Sequence, residues 1–204
     1  AAAVDRAEER RVELLKAQGY NAIRTSHNPP SPQFLDACDQ LGVMVMCEAF
    51  DTWPEGKNAD DYHVNFDRWW RRDLTAMVSR HWNHASIVLW SIGNEIPSRS
   101  TPLGANLSVA LSALVKELDA GSGRAVTAAY PAVDENADPF FAPLDVAGYN
   151  YSPQRYYQDH TRQPARVMVG TESDPTMSFA MWQSVWNNSW VIGDFIWTAM
   201  DYLG

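Results

Sequence analysis

Two hydrophobic periodicities alternate along the chain. Ala22-Ile23-Arg24 is a short apolar run closing on a charge, and a helical pattern follows over residues 31–41. Val43-Met44-Val45-Met46-Cys47 reads as the next strand, followed by a long loop. A helix then begins at about Phe66, where Phe66, Trp69, Trp70, Leu74, Met77 and Val78 recur at helical spacing, with Asn65 as the expected N-cap. Ile87-Val88-Leu89-Trp90 is continuously apolar, the pattern of a strand buried on both faces. The following helix carries Leu107, Leu111, Leu114, Val115 and Leu118, and Gly121 is expected to stop it from the C′ position. Further strands are predicted at 125–127, 146–149, 167–169 and 192–196. Short helices are predicted near 154–159 and 178–186, and a Pro-rich loop runs from Pro131 to Pro143.

Seven strands alternating with helices imply a parallel sheet with helical crossovers. A doubly wound nucleotide binder would show a Gly-rich first turn, and the sequence has neither G-x-G-x-x-G nor a P-loop. A helix over 5–18, closed by Gly19, precedes the first predicted strand. Seven strands after a helix suit an α/β (β/α)8 TIM barrel lacking its first strand, since a complete barrel takes ~250 residues and this chain has 204. No linker or internal repeat divides it.

Composition narrows the function classes. A hydrophobic fraction of 46% and a charged fraction of 20% suit a soluble globular domain. The net charge of −9 and the lack of a basic stripe exclude nucleic acid as an expected partner. No apolar run approaches the ~18 residues of a membrane span. The two cysteines, Cys38 and Cys47, read as buried free thiols. Nine Trp and eight Tyr read on composition first as bulky core and interface residues, and only second as platforms for sugar faces. The five histidines form no H-E-x-x-H set, and no G-x-S-x-G elbow occurs. Neither a metal nor any other cofactor is expected. The compartment is left open, with a periplasmic or secreted location slightly favoured over a cytoplasmic one.

Polar residues gather at the C-terminal ends of the apolar strands, the face on which a (β/α)8 barrel builds its active site. Numbered for an eight-stranded barrel, the second strand ends in Arg24, Thr25, Ser26, His27 and Asn28, and the third in Glu48 and Asp51. The fourth ends in Asn94-Glu95, the sixth in Asn150-Tyr151, the seventh in Thr171-Glu172, and the eighth near Trp197. Glu95 is delivered to a rim beside Trp90 and Asn94, where an aromatic wall would raise a carboxyl's pKa; on spacing alone it could equally be a helix cap or an ion-pair partner. Glu172 follows a buried strand on the far side of the barrel mouth. Two carboxyls facing across a sugar-sized gap are what glycoside hydrolysis requires. Arg24 is placed to keep a nucleophilic carboxylate ionised, or to form a structural ion pair. His27 and Trp197 fit sugar contacts or packing.

The stretch Gly19-Tyr20-Asn21-Ala22-Ile23-Arg24-Thr25-Ser26-His27-Asn28-Pro29-Pro30 resembles the first signature of glycoside hydrolase family 2, which includes β-galactosidases, β-glucuronidases and β-mannosidases. The run from Asn83 through Ser86-Ile87-Val88-Leu89-Trp90-Ser91-Ile92-Gly93-Asn94-Glu95 resembles the second. The resemblance implies a retaining exo-β-glycosidase, β-galactosidase first among the alternatives, acting on a carbohydrate. Glu95 would be the acid/base, Glu172 the nucleophile, and Asn94 the ligand of the sugar 2-hydroxyl. Arg24, His27, Glu48, Asp51 and Trp197 would complete the substrate site. Tyr151 would be the tyrosine bonded to the nucleophile, with Tyr149 a competing match. Cys47 stands where the family often has Asp. The loop Ala49-Phe50-Asp51-Thr52-Trp53 lacks the Thr-His-Gly pattern of magnesium-dependent relatives. The Asn-x-Lys motif of glucuronidases falls beyond the last residue. Residues 1–204 are accordingly expected to be a single catalytic barrel domain, part of a larger multidomain enzyme, for which a homo-oligomer is allowed. A barrel that binds carbohydrate without turnover is the alternative from a different class.

Overall fold

In the computed structural model, which describes residues 4–200, seven parallel strands form one sheet in chain order. They are β1 Ala22–Arg24, β2 Met44–Glu48, β3 Ile87–Asn94, β4 Ala125–Pro131, β5 Ala147–Asn150, β6 Met168–Ser173 and β7 Val191–Ile196. Helices alternate with them: α1 Asp5–Ala17, α2 Pro32–Leu41, α3 His63–His81, α4 Pro102–Leu118, α5 Asp138–Phe141, α6 Tyr156–Arg162 and α7 Ser178–Asn187. Each neighbouring strand pair is parallel, and β1 approaches β7. The described residues therefore make a nearly closed TIM barrel, one strand short of eight. No described helix is long and apolar enough to cross a membrane.

Local chemistry accounts for most boundaries. Ser31 caps α2 by accepting the Phe34 N–H at 3.2 Å, Pro32 occupies the first turn, and Gly42 at φ +68° ends the helix in the left-handed region. The start of α3 differs from the expected one. Asn65 lies inside the helix, because the Asp61 carboxylate accepts the backbone N–H groups of Lys57, Asn58 and His63 and begins the turn earlier. At the end of α4, Asp119 is the C-cap, and Gly121 (φ +93°) lies two residues beyond it rather than at C′. The Pro-rich segment is not a bare loop. It carries a 3₁₀ turn, Glu135–Ala137, and α5, whose Phe140 and Phe141 are buried; Phe140 stacks on Trp53 at 5.6 Å.

The core has two layers, set by the two-residue alternation of strands. Outward strand residues such as Val45, Cys47, Trp90 and Val126 pack with Leu35, Phe66, Leu74, Leu111 and Val115 from the helices. Met46, Leu89, Val146 and Val169 form the smaller cluster inside the barrel. The expectation of burial on both faces holds for most of β3, although Val88 is 38% exposed. Both cysteines are free and buried, and burial pushes the Cys38 thiol up to about 12. One step above the inner cluster the same alternation turns Glu48 (two beyond Met46) and Ser91 (two beyond Leu89) inward, and their side chains meet at 2.6 Å. Packing thus hands the barrel interior to chemistry at its C-terminal end.

Candidate active site

Arg24, the last residue of β1, organises this end. Its guanidinium donates to Glu48 Oε1 and Oε2 at 2.8–2.9 Å, to Glu172 Oε1 at 2.8 Å, to the Thr171 carbonyl at 2.9 Å and to Asn94 Oδ1 at 2.9 Å. Burial acts against its charge, but Glu48 and Glu172 outweigh burial and hold Arg24 above its ordinary pKa. Glu48 is fully buried. Burial pushes its carboxyl up, yet the Arg24 charge and the hydrogen bonds from His27 and Ser91 hold it below the ordinary carboxylate range.

His27 Nδ1 lies 2.7 Å from Glu48 Oε1, an acceptor, so this nitrogen carries the proton and donates. Nε2 is left to accept from Asn94 Nδ2 at 3.3 Å, and it stands 3.7 Å from Glu172 Oε1. The imidazole stacks on Trp197 with ring centroids 5.0 Å apart and planes 2° from parallel. Asn94 is held at both ends of its amide. Its oxygen accepts from Arg24 and Asn150, and its nitrogen donates to His27 and to Asp51 Oδ1 at 3.0 Å. Lys57 Nζ bonds Asp51 at 2.5 Å and the Asn94 carbonyl at 3.0 Å.

Glu95 joins this network through a neutral donor: Asn150 Nδ2 reaches its Oε1 at 2.9 Å. Its backbone has φ +44°, rare for a residue with a side chain, and its N–H donates to the Ala129 carbonyl at 2.9 Å. The turn out of β3 is packed from below. A Cβ on Gly93 would lie 2.9 Å from the Trp53 indole and 2.9 Å from Ile96 Cδ1, so only glycine fits there. Tyr151 also has a positive φ, +52°, and its N–H donates to the Glu172 carbonyl at 2.9 Å.

The structure therefore draws Arg24, His27, Glu48, Asp51, Asn94, Glu95 and Glu172 into one hydrogen-bonded network, with Trp197 against His27 and Tyr151 at its rim. Tyr149, the competing match, is fully buried and donates to Asp159 of α6 at 3.0 Å, in the outer layer. Trp90 corrects the sequence reading. It does not wall Glu95 but points outward, donating to Asp119 at 3.0 Å with Arg124 over its ring. Its position one residue before the inward Ser91 is the reason. Asn150, Ser91, Thr171 and Lys57 are network members whose roles sequence reasoning did not single out. For the first three, strand parity with Glu48 was a usable signal; for Lys57 there was none. A cleft of about 580 Å³ follows the seam between β1 and β7 and takes in Arg24, Thr171 and Trp197, but neither Glu95 nor Glu172. Arg24, which lines it, bonds Glu172 Oε1 at 2.8 Å and so links the cleft to the carboxylate network. Among the described residues, Asp36, Asp39 and His84 have metal-ligand spacing, but they sit at the N-terminal ends of the strands, where Asp39 already bonds His84 and the Ser86 N–H.

At its C-terminal mouth the barrel thus presents buried and half-buried carboxylates, a guanidinium and aromatic rings. Residues 5–197 match the model of the glycosyl hydrolases family 2 TIM barrel domain. The chain belongs to glycoside hydrolase family 2. It is 29% identical to β-galactosidase BoGH2A of Bacteroides ovatus, with all of this chain and 33% of that protein aligned. It superposes on a family 2 member from Bacteroides cellulosilyticus with a TM-score of 0.95 at 50% identity, covering 98% of this chain and 26% of the other. A β-glycosidase from Bacteroides vulgatus follows at TM-score 0.84 and 30% identity, covering 99% and 33%. The chain thus spans a third or less of these relatives.

Proposed function

We propose that this barrel carries the reaction centre of a retaining exo-β-glycosidase with β-galactosides as substrates. One observation carries the reading: two carboxylates of one network have opposite surroundings, a cation at Glu172 and a neutral amide at Glu95. Glu172 attacks the anomeric carbon and forms a glycosyl ester while the leaving oxygen takes a proton from Glu95. Glu95 then removes a proton from water, which attacks the same carbon and releases the sugar with its configuration retained. His27 and Asn94 edge the sugar's position, and the His27–Trp197 stack supplies an aromatic wall. The galactoside preference is supported by the likeness to β-galactosidase BoGH2A; a panel of aryl β-galactosides, β-glucuronides and β-mannosides checks it.

Glu95→Gln in the protein at its full natural length tests the acid role. For poor leaving groups kcat/KM should fall by about 10²–10⁴-fold. For dinitrophenyl glycosides, whose leaving group needs no proton, the first step should be nearly unchanged. Equal losses with both substrates would contradict the assignment.

A further inference from the structure

We propose that Asn150 is the positioning residue of the acid/base, fixing Glu95 so that its Oε2 carries the transferable proton; this rests on the double-displacement reading above. Asn150 ends β5 and is fully buried. Its amide has three bonds: Nδ2 donates to Glu95 Oε1 at 2.9 Å and to Asn94 Oδ1 at 3.2 Å, and Oδ1 accepts from the Thr171 hydroxyl at 2.6 Å. Flipping the amide would turn its oxygen toward two other oxygens, those of Asn94 and Glu95, so its orientation is determined.

The consequence for Glu95 is chemical. An amide N–H donates and cannot accept, so Oε1 is engaged as an acceptor and the proton of the acid form resides on Oε2. When that proton passes to the leaving oxygen, the bond from Asn150 becomes one to a carboxylate and strengthens. It therefore favours the transition state over the ground state, the condition for speeding the chemical step. Thr171 directly precedes Glu172, and Asn150 pairs with Glu172 in the β5–β6 ladder. One side chain thus ties the acid to the strand that bears the nucleophile.

The test compares Asn150→Ala, Thr171→Val and Glu95→Gln in the protein at its full natural length, across aryl glycosides of graded leaving-group basicity. Asn150→Ala should lose on the order of 10-fold to 10²-fold in kcat/KM with the poorest leaving groups and little with dinitrophenyl. Thr171→Val, which frees the amide but keeps the side-chain shape, should show the same selectivity more weakly; it carries the test if Asn150→Ala does not fold. Uniform losses across the series, or none, in the folded variants would overturn the positioning role while Glu95→Gln remained selective. A Glu95→Gln variant without selectivity would overturn the acid/base reading itself, and this inference with it.

Discussion

Glu172→Gln should lower kcat by a factor on the order of 10⁶, the scale on which removal of a covalent nucleophile acts. The amide is nearly isosteric, so the loss is chemical. Glu172 is 6% exposed, and its Oε1 is held by Arg24 Nη1 at 2.8 Å while the same guanidinium nitrogen grips the neighbouring Thr171 carbonyl. The carboxylate is thereby fixed in position and its anionic form is bonded to a cation, whereas Gln would turn either a neutral oxygen or an amide N–H toward Arg24. Sugar affinity should change far less than kcat, because an ester-forming atom contributes to the transition state and not to ground-state binding. Steady-state kinetics with a dinitrophenyl galactoside measures both; activity within 10²-fold of the wild type would remove Glu172 from the covalent role.

Arg24→Met should destabilise the barrel by about 3–5 kcal/mol, the cost of breaking a buried ion pair from one side. Glu48 has no exposure, and its other donors, His27 and Ser91, do not replace a guanidinium that is only 4% exposed. The folded-state pKa of Glu48 lies below its ordinary 4.5, so the stabilisation is fully present above that value and is lost as pH falls through the lower folded one. In the variant a buried Glu48 without its cation is relieved by protonation. The gap in thermal transition between wild type and Arg24→Met should therefore narrow in acid. Arg24→Met/Glu48→Gln should recover part of the loss at neutral pH, since the stranded charge is gone. A single variant as stable as the wild type would show that Arg24 does not hold this end together.

Much of this was legible in the chain because apolar runs and polar strand ends are coded locally. Glu48, Asn94, Glu95 and Glu172 each end or follow a largely buried strand, and Arg24 ends the shorter, half-buried β1. What escaped depends on contacts distant in sequence or on parity. Trp90 reads as a neighbour of Glu95, but the outward step of β3 sends it to Asp119. Asn65 is a good cap residue, yet Asp61 captures three N–H groups first. Phe140 and Phe141 sit in a Pro-rich segment and become helical because Trp53 and Tyr130 offer them an aromatic surface. Asn150 stood in plain view at a strand end, but its bond to Glu95 spans 55 positions.

A covalent glycosyl intermediate on Glu172 can be trapped and located. The protein at its full natural length is treated with dinitrophenyl 2-deoxy-2-fluoro-β-galactoside, whose fluorine slows hydrolysis of the ester, and the adduct is mapped by peptide mass spectrometry. The expected result is a single fluorogalactosyl group on Glu172 and, with unmodified substrate, release of the β-anomer seen by NMR. An adduct on Glu95, or release of the α-anomer, would contradict it.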